Sequence, residues 1–406
     1  MRFFQSHRST LLSCYNGYIV QAICINLPPL LFLTFQRVFF LSLGQISVLI
    51  VGNTLLQLSI DLLASRIGGR IHPRIILLTA HFFAALGLIG LSVLPFRMDP
   101  FAGLLISVAL LGVGGGLIEV MVSPLVEACP TEGKGRNMSF LHSFYSWGQA
   151  SVVFLSGLWF LLLDIDTYWR WLPLLWAIIP LVGFVAFCLV PIYQLPAETE
   201  SGMTAGKLFK SHRFRLFLLM MVCAGASELV MGQWASSFAE SALGVNKTVG
   251  DLFGPGTFAA AMGLARILSG KLSGKVRTSR LMMASSLLCA LSYLIAVFAP
   301  VAWLSLFGCM LCGFSVGIFW PGILSEAASR IPNGGISMFA ILALAGDVGC
   351  LSGPSLAGGI SDLAGGNLRA GFLFAILFPT VMLAALLMQE KSERSASANH
   401  SSKGED

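Results

Sequence analysis

Between residues 11 and 389 the chain is almost continuously apolar, and short polar gaps divide it into runs of about 20 or more residues. Such runs are typical of membrane-spanning helices, because hydrocarbon offers no partners for backbone groups left outside a helix. The pattern predicts twelve spans, at about 12–35, 43–65, 74–95, 101–128, 138–163, 170–193, 214–240, 249–270, 280–299, 302–328, 335–361 and 368–389. The expected fold class is therefore an all-α integral membrane protein with 12 transmembrane helices.

One connection, residues 194–213, is longer and more charged than the others, and it divides the predicted spans into two sets of six. We expect residues 1–193 and 214–390 to form two six-helix bundles joined by this cytoplasmic linker. The tail, residues 391–406, is rich in serine and charge and is expected to be a disordered cytoplasmic segment.

Positive charges follow the gaps between spans in a regular way. If the N-terminus, every second connection and the C-terminus share one side, that side carries 19 of the 25 Lys and Arg residues. The opposite side carries five, and Arg266 lies within a span. Because cytoplasmic loops are enriched in Lys and Arg, we predict a multi-pass protein of the cell membrane with both termini in the cytoplasm.

Composition agrees with this topology. Charged residues make up 11% of the chain and hydrophobic ones 56%, whereas an ordinary soluble domain is about 25% charged. The net charge of +6 resides in short loops rather than in a basic and aromatic patch, so no nucleic-acid partner is expected.

Two halves of the sequence resemble each other. Residues 61–70 (DLLASRIGGR) end span two, and residues 266–275 (RILSGKLSGK) end span eight with the same spacing of charged positions. Glu127 and Glu326 end spans four and ten in the same way. An internal repeat of six parallel helices is typical of one large class of transporters, whose binding site lies near the membrane midplane between the repeats.

Twelve spans in a 6+6 repeat, with a basic glycine-containing loop after spans two and eight, resemble the major facilitator superfamily. Ser65 stands where the family loop has an acid, and Asp61 lies one helical turn earlier. The resemblance implies two pseudo-symmetric bundles, transport by alternating access, and function as a monomer.

A narrower resemblance is to the fucose permease-like sugar:proton symporters. It rests on residues 114–124 (GGGLIEVMVSP), Asn137, residues 141–148 (LHSFYSWG) and residues 321–325 (PGILS). The chain departs from this group in having Ser123 before Pro124 where the group has asparagine, and in having no carboxylate in span one. The resemblance implies proton-coupled transport of a sugar or polyol.

Ionisable residues within spans cost about 2.5–3.5 kcal/mol on insertion scales and are therefore functional candidates. Glu119, Glu228, Asp347 and His142 are predicted to take part in proton coupling. The alternatives are that Glu119 is satisfied by a neighbouring helix, that His142 is a core histidine bonded to backbone, and that Asp347 forms a structural ion pair with Arg266.

Polar and aromatic residues within the spans are predicted to bind the solute, because amides and carboxylates recognise hydroxyl groups and aromatic faces stack on sugar rings. The tryptophans have the alternative role of anchors at the lipid interface. The predicted substrate-binding residues are Asn16, Gln21, Asn26, Glu119, His142, Trp147, Gln149, Glu228, Gln233, Trp234 and Trp320.

Charged residues at the cytoplasmic helix ends are predicted to form a gate, as such pairs do in the superfamily. Glu127 is expected to pair with Arg66 or Arg70, and Glu326 with Lys271 or Lys275; the alternative is a solvated surface pair worth under about 1 kcal/mol. The predicted gate residues are Asp61, Arg66, Arg70, Glu127, Arg266, Lys271, Lys275 and Glu326.

The sequence therefore predicts a secondary active transporter whose partners are a small solute, protons and the lipid bilayer. No cofactor or metal is expected, since Cys309 and Cys312 have no second cysteine pair or nearby histidine. An enzyme is not expected, because no nucleophile–base pair is recognisable. Two alternatives stay open. An exporter of amphipathic compounds would suit the 15 Met and 30 Phe, and a transport-inactive membrane sensor would suit the missing carboxylate of span one.

Overall fold

The computed structural model describes residues 6–67, 71–193, 203–244, 250 and 252–401. Within these ranges the chain is helical, and the only strand-like pairing is an isolated bridge between Ser273 and Val276. The α-helices in chain order are α1 His7–Phe39, α2 Leu43–Ile67, α3 Pro73–Val93, α4 Pro100–Ala128, α5 Lys134–Leu162, α6 Ile165–Tyr168, α7 Trp171–Leu189, α8 Ala205–Lys210, α9 His212–Leu243, α10 Thr257–Leu272, α11 Thr278–Phe298, α12 Ala302–Val316, α13 Phe319–Arg330, α14 Gly335–Leu363, α15 Leu368–Ala375 and α16 Leu377–Ser401. A 3₁₀ helix at Leu94–Phe96 follows α3, and a π-helix at Leu252–Gly256 precedes α10.

Long apolar helices confirm the all-helical, multi-pass character that the hydrophobic pattern predicts. In the described part of the chain, eight helical segments are long and apolar enough to cross a membrane: Pro73–Phe96, Pro100–Ala128, Trp171–Leu189, His212–Ala235, Thr278–Phe298, Ala302–Arg330, Gly335–Leu363 and Leu368–Lys391. Many large apolar side chains on the helices are exposed, among them Phe154, Leu287 and Phe298. These side chains would contact lipid in a membrane.

Two of the predicted spans, 302–328 and 368–389, are each divided into two helices. The first is divided at Gly317–Ile318 and the second at Ile376. In both cases a proline follows the division, Pro321 in one and Pro379 in the other. Because proline lacks an N–H, the carbonyl four residues earlier loses its intrahelical donor, and the helix is interrupted there.

The predicted linker and tail are described only in part. Residues 194–202 of the linker lie outside the described residues, and the described part of it contains the short helix α8. Helix α16 continues to Ser401, into the segment 391–406 for which the sequence predicts disorder. Residues 402–406 lie outside the described part.

Side chains stabilise the ends of several helices. Asp99 caps α4 by accepting a hydrogen bond from the Ala102 N–H at 2.9 Å, and Pro100 occupies the first helical position. Arg74 donates to three carbonyls at the end of α7, those of Phe187, Cys188 and Val190. A base at a helix C-terminus satisfies carbonyls that have no intrahelical partner and favours the local dipole.

The chain divides into two compact units. The first contains Met1–Ala205 and Pro332–Leu344, and the second contains Gly206–Ile331 and Ala345–Asp406.

In the first unit α4 is the most widely shared helix. It packs against α1, α2 and α3, while α3 also packs against α7, and α1 packs against α5 and α7. In the second unit α12 packs against α9, α10 and α11, while α16 packs against α9 and α11. The same contacts therefore recur between the helices that the internal repeat places in equivalent positions.

Candidate functional site

Glu119 lies in the middle of α4 and holds two helices of the first unit together. Its Oε2 atom accepts a hydrogen bond from Gln21 Nε2 of α1 at 2.8 Å, and one from Gln57 Nε2 of α2 at 2.8 Å. The Gln21 side chain is buried, and that of Glu119 is half-buried. Two amides from different helices thereby fix the direction of this carboxylate, and carboxylate and amide groups are suited to recognising a polar solute.

Aromatic and hydroxyl groups continue this cluster. The Tyr18 hydroxyl and the Ser123 Oγ are hydrogen-bonded at 2.8 Å, and Ser123 lies one turn after Glu119 on α4. The ring of Tyr18 meets the buried ring of His142, on α5, edge to face with centroids 5.1 Å apart. We call Tyr18, Gln21, Gln57, Glu119, Ser123 and His142 the Glu119 cluster.

A glycine stripe on α4, formed by Gly112, Gly115 and Gly116, explains how α1 and α2 approach Glu119 closely. A methyl group at Gly112 would overlap the Asn53 Oδ1 atom of α2 at 2.5 Å, and one at Gly116 would lie 3.3 Å from Ile60. One at Gly115 would lie 3.4 Å from Cys24 of α1. The stripe therefore receives neighbouring helices, and the polar side chains between them are brought together as a consequence.

Asn16, a predicted substrate residue, faces away from this cluster. Its Oδ1 atom and His81 Nε2 both lie against Gly183 of α7, where a methyl group would overlap them. His81 is fully buried, and its Nδ1 is hydrogen-bonded to the Leu77 carbonyl at 2.8 Å. Asn16 thus belongs to the packing of α1, α3 and α7.

Glu228 forms a buried ion pair in the second unit. Its Oε2 atom lies 3.6 Å from Arg266 Nη2, and the side chains are 11% and 2% exposed respectively. Arg266 Nε also donates to the Gly317 carbonyl at 3.2 Å, at the division between α12 and α13. Arg266 was predicted among the gate residues, but its burial and its partners associate it with Glu228.

Two predicted substrate residues of the second unit pack against α14. Trp234 Nε1 donates to the Pro354 carbonyl at 3.1 Å, and the indole lies 2.9 Å from the position of a methyl group at Gly358. The ring of Trp320 lies directly against Gly346. The neighbouring residue Asp347, a predicted coupling residue, is half-buried on the same helix.

The remaining predicted substrate residues make no described contact with the Glu119 cluster or with the Glu228–Arg266 pair. Asn26 Nδ2 donates to the Ala22 carbonyl of its own helix at 2.9 Å. Trp147 is 42% exposed, Gln149 is half-buried and Gln233 is exposed. Their roles stay predictions.

On the first unit, the predicted gate residues Glu127 and Asp61 lie near the C-terminal ends of their helices. Glu127 Oε1 lies 3.4 Å from Lys134 Nζ, at the start of α5. Asp61 is fully buried. Arg70 and the side chain of Arg66, the predicted partners of Glu127, lie outside the described residues.

On the second unit, Glu326 pairs within its own helix instead of with Lys271 or Lys275. Its Oε2 atom lies 2.6 Å from Arg330 Nε, one turn further along α13. An acid four residues before a base lies on the same helix face, and this short path favours the local pair. Lys275 and Glu326 nevertheless line one surface cavity of about 560 Å³.

Three members of the Glu119 cluster were not among the predicted site residues, namely Tyr18, Gln57 and Ser123. Gln57 is the most informative of them, because it shares the carboxylate oxygen with Gln21. The sequence feature that could have indicated Gln57 is its position as an uncharged polar residue in the middle of a span, one turn after Asn53 on the same helix face.

The Glu119 cluster and the Glu228–Arg266 pair each contain a carboxylate beside nitrogen donors, a chemistry that suits hydrogen bonding and proton binding. Among the described residues, no group of three or more His, Cys, Asp or Glu side chains is placed to hold a metal ion.

Comparison with known proteins defines the class. The family model described as Major Facilitator Superfamily matches residues 10–338 and 256–405, so the chain belongs to the Major Facilitator Superfamily. It is a membrane transporter rather than an enzyme. No curated protein sequence matches the chain.

Solved structures with the same fold include sugar transporters. The transporter FucP in an outward conformation aligns with a TM-score of 0.79 at 16% identity, over 93% of this chain and 98% of FucP. FucP is the Escherichia coli fucose:proton symporter. The proton:xylose symporter XylE, bound to 6-bromo-6-deoxy-D-glucose, aligns with a TM-score of 0.76 at 15% identity, over 95% of each chain.

A third similar structure is the human organic anion transporter MFSD10. It aligns with a TM-score of 0.70 at 14% identity, over 94% of this chain and 99% of MFSD10. At such identities these likenesses show the shared fold. The resemblance to the fucose permease-like group, first based on residues 114–124, is confirmed at this level.

Proposed function

We propose that this protein is a secondary active transporter that moves a small solute, a sugar or polyol in preference, by proton-coupled alternating access. The observation that carries the proposal is the Glu119 cluster, in which Gln21 and Gln57 hold one carboxylate oxygen at 2.8 Å each. Polyhydroxy compounds are bound by amides, carboxylates, hydroxyls and aromatic faces, and the Glu119 cluster brings these groups together. The sugar:proton symporters among the similar structures support the same solute class.

The topology that belongs to this function has twelve spans, with both termini in the cytoplasm and the protein in the cell membrane. The proposal also includes two six-helix bundles, at residues 1–193 and 214–390, which are joined by the linker 194–213. The charged residues at the helix ends are proposed to form the gate. The charge distribution between spans supports it, because 19 of 25 Lys and Arg residues fall on one side.

Proton coupling is assigned to Glu119 and Glu228. Protonation of Glu228 would remove the charge that holds Arg266 at 3.6 Å, and breaking a buried ion pair is costly unless the freed group finds another partner. Proton binding at this pair can therefore shift a conformational equilibrium. The same equilibrium must be shifted by the solute for transport to be coupled.

Uptake by purified protein in proteoliposomes tests the proposal. Radiolabelled fucose, xylose, glucose and a polyol such as mannitol are offered, with an imposed gradient of about two pH units. Such a gradient supports about 100-fold accumulation at one proton per solute molecule. We expect Glu119→Gln and Glu228→Gln to abolish accumulation while counterflow exchange of the transported solute persists.

A matched control is Glu132→Gln, the same change at an exposed loop residue, which should leave accumulation unchanged. Unchanged accumulation in both Glu119→Gln and Glu228→Gln would remove these residues from the mechanism. If the protein transports amphipathic compounds or organic anions but none of the sugars, the result would favour the exporter. Transport of no solute would favour the sensor.

A further inference from the structure

A division in the helical path of α12 and α13 lies beside the Glu228 ion pair. Gly317 and Ile318 connect the two helices, and both have right-handed helical dihedral angles. Pro321 lies four residues after Gly317, so the Gly317 carbonyl has no intrahelical N–H donor. We call Gly317–Ile318 the α12–α13 break.

Arg266 supplies the donor that Pro321 lacks. Its Nε atom donates to the Gly317 carbonyl at 3.2 Å, from α10. The two elements are in direct contact, because a methyl group at Gly317 would lie 2.8 Å from both the Ala265 Cβ and the Met262 carbonyl oxygen. The break and the middle of α10 thus form one packed unit.

A different nitrogen of the same guanidinium group faces Glu228. The Nη2 atom lies 3.6 Å from Glu228 Oε2, while Nε is engaged at the break. The guanidinium is planar and rigid, so its two sides cannot move independently. A displacement at the carboxylate is therefore transmitted to the carbonyl of the break.

We propose that Arg266 is a positioning residue that couples the charge state of Glu228 to the conformation of the α12–α13 break. The inference rests on the proposed role of Glu228 as a coupling carboxylate, and it adds the path by which that role reaches another helix. Trp320 lies just beyond the break, and its ring lies against Gly346 of α14. A change at the break thus moves a tryptophan and the contact it makes with α14.

Hydrogen–deuterium exchange of the full-length protein in nanodiscs, without any solute, tests the proposal. The segment measured is 313–325. Arg266→Lys retains the charge but replaces the guanidinium group with a single ammonium nitrogen. This nitrogen cannot contact the Gly317 carbonyl and the Glu228 carboxylate in the way that two guanidinium nitrogens do. Glu228→Gln removes the ion pair and keeps the side-chain shape. We expect each variant to raise amide exchange at the break at least fivefold, with distant segments such as α3 unchanged.

The decisive variant is Pro321→Ala. It restores an N–H that can donate to the Gly317 carbonyl within the helix, because the connecting residues already have helical dihedral angles. In this background the break no longer needs Arg266. We therefore expect the effects of Arg266→Lys and Glu228→Gln on exchange at 313–325 to fall to less than twofold.

Three results would overturn the proposal: no change at the break in Glu228→Gln, an equal change in the Pro321→Ala background, or the same change in the control Arg280→Lys, an exposed base of α11. Glu228→Gln keeps the test valid if Arg266→Lys does not fold. Because exchange is read without transport, the result is independent of the proteoliposome experiment. Normal coupling in Glu228→Gln, with altered exchange, would reject the transport role of Glu228 and keep the link through Arg266.

Discussion

At the scale of single residues, the Glu119 cluster depends on Gln57, an uncharged residue whose role is not evident from the sequence. Gln57 donates to the same carboxylate oxygen as Gln21, from a different helix. A hydrogen bond to a charged group contributes about 1.5–3 kcal/mol, enough to fix the orientation of Glu119. The carboxylate is therefore oriented by α1 and α2 together.

We predict that Gln57→Leu raises the KM for the transported solute about tenfold or more, because Glu119 loses the hydrogen bond from α2 that helps to orient it. The matched control is Ser59→Ala on the same helix, where the exposed Oγ bonds only to the Leu55 carbonyl of its own helix. Initial uptake rates over a range of solute concentrations measure the effect. Equal KM values for the two variants would show that Gln57 does not orient the carboxylate.

The sequence indicates which residues are costly to bury but not which partners they have. Glu119, Gln21 and His142 are predicted as site residues, and the structure brings them together in one cluster. An ionisable side chain within a span needs hydrogen-bonding partners, and the polar residues of neighbouring spans supply them. The pair of Glu228 and Arg266 is not predicted, since their separation along the chain says nothing about which helices pack together. Choice of partner depends on tertiary packing.

At the scale of helices, α9 and α14 approach each other through glycine. A methyl group at Gly349 would overlap the Val222 carbonyl oxygen, and one at Gly353 would lie 2.7 Å from the Ala226 Cα. Gly225 faces the Gly346 carbonyl in the same way. These contacts place two backbones in van der Waals contact, as small residues do in membrane helices.

We predict that Gly349→Ala lowers the stability by about 1–3 kcal/mol, because the methyl group must displace the backbone of α9. Gly359→Ala, on the same helix with no atom within 4 Å of the new methyl group, should leave stability unchanged or slightly raise it. Thermal unfolding in detergent compares them. Equal unfolding temperatures would show that α9 and α14 are not tightly packed there.

Arg74 illustrates how a topology signal also stabilises a helix end. It is one of the bases that indicate a cytoplasmic loop, and its guanidinium donates to three carbonyls at the end of α7 at 2.7–3.0 Å. A planar fork can reach several carbonyls at once, whereas an ammonium group cannot.

We therefore predict that Arg74→Lys preserves the topology but lowers the stability by about 1–2 kcal/mol, because most of the bonds to α7 are lost. The change should lower the unfolding temperature in detergent by a few degrees. Arg213→Lys, at an exposed base, is the control. A reduction of equal size in the control would attribute the effect to the general loss of arginine.

Helix positions follow from the apolar pattern more closely than helix interruptions do. The ends of α3, α4 and α11 lie within a few residues of the predicted spans. The α12–α13 break is not predicted, although Pro321 is visible in the sequence, since a proline is tolerated in many membrane helices when another group satisfies the freed carbonyl. Here that group is Arg266, which comes from another helix.

At the scale of the whole molecule, the alternation of charge and the repeated packing arise from one sequence organisation. The contacts among α1, α2, α3, α4 and α7 recur among α9, α10, α11, α12 and α16. Parallel repeats would place equivalent helices in the same direction across the membrane, and the charge bias predicts that the basic loops of both halves share one side. An odd number of spans would reverse the second half and destroy the bias of 19 to five.

The bias in basic residues predicts the location of the C-terminus and of one loop in each half. Fused after Asp406, a green fluorescent protein should fluoresce and an alkaline phosphatase should be inactive in a bacterial host, because the first matures in the cytoplasm and the second only outside it. Truncated fusions after Arg97, in an opposite-side connection, should give the reverse result, and fusions after Lys275, in a basic loop of the second half, should match the C-terminus. Phosphatase activity after Asp406 together with fluorescence after Arg97 would invert the orientation. Opposite results for Lys275 and Asp406 would instead mean an odd number of spans between them, and the twelve-span topology would fail even though the fold is that of the superfamily.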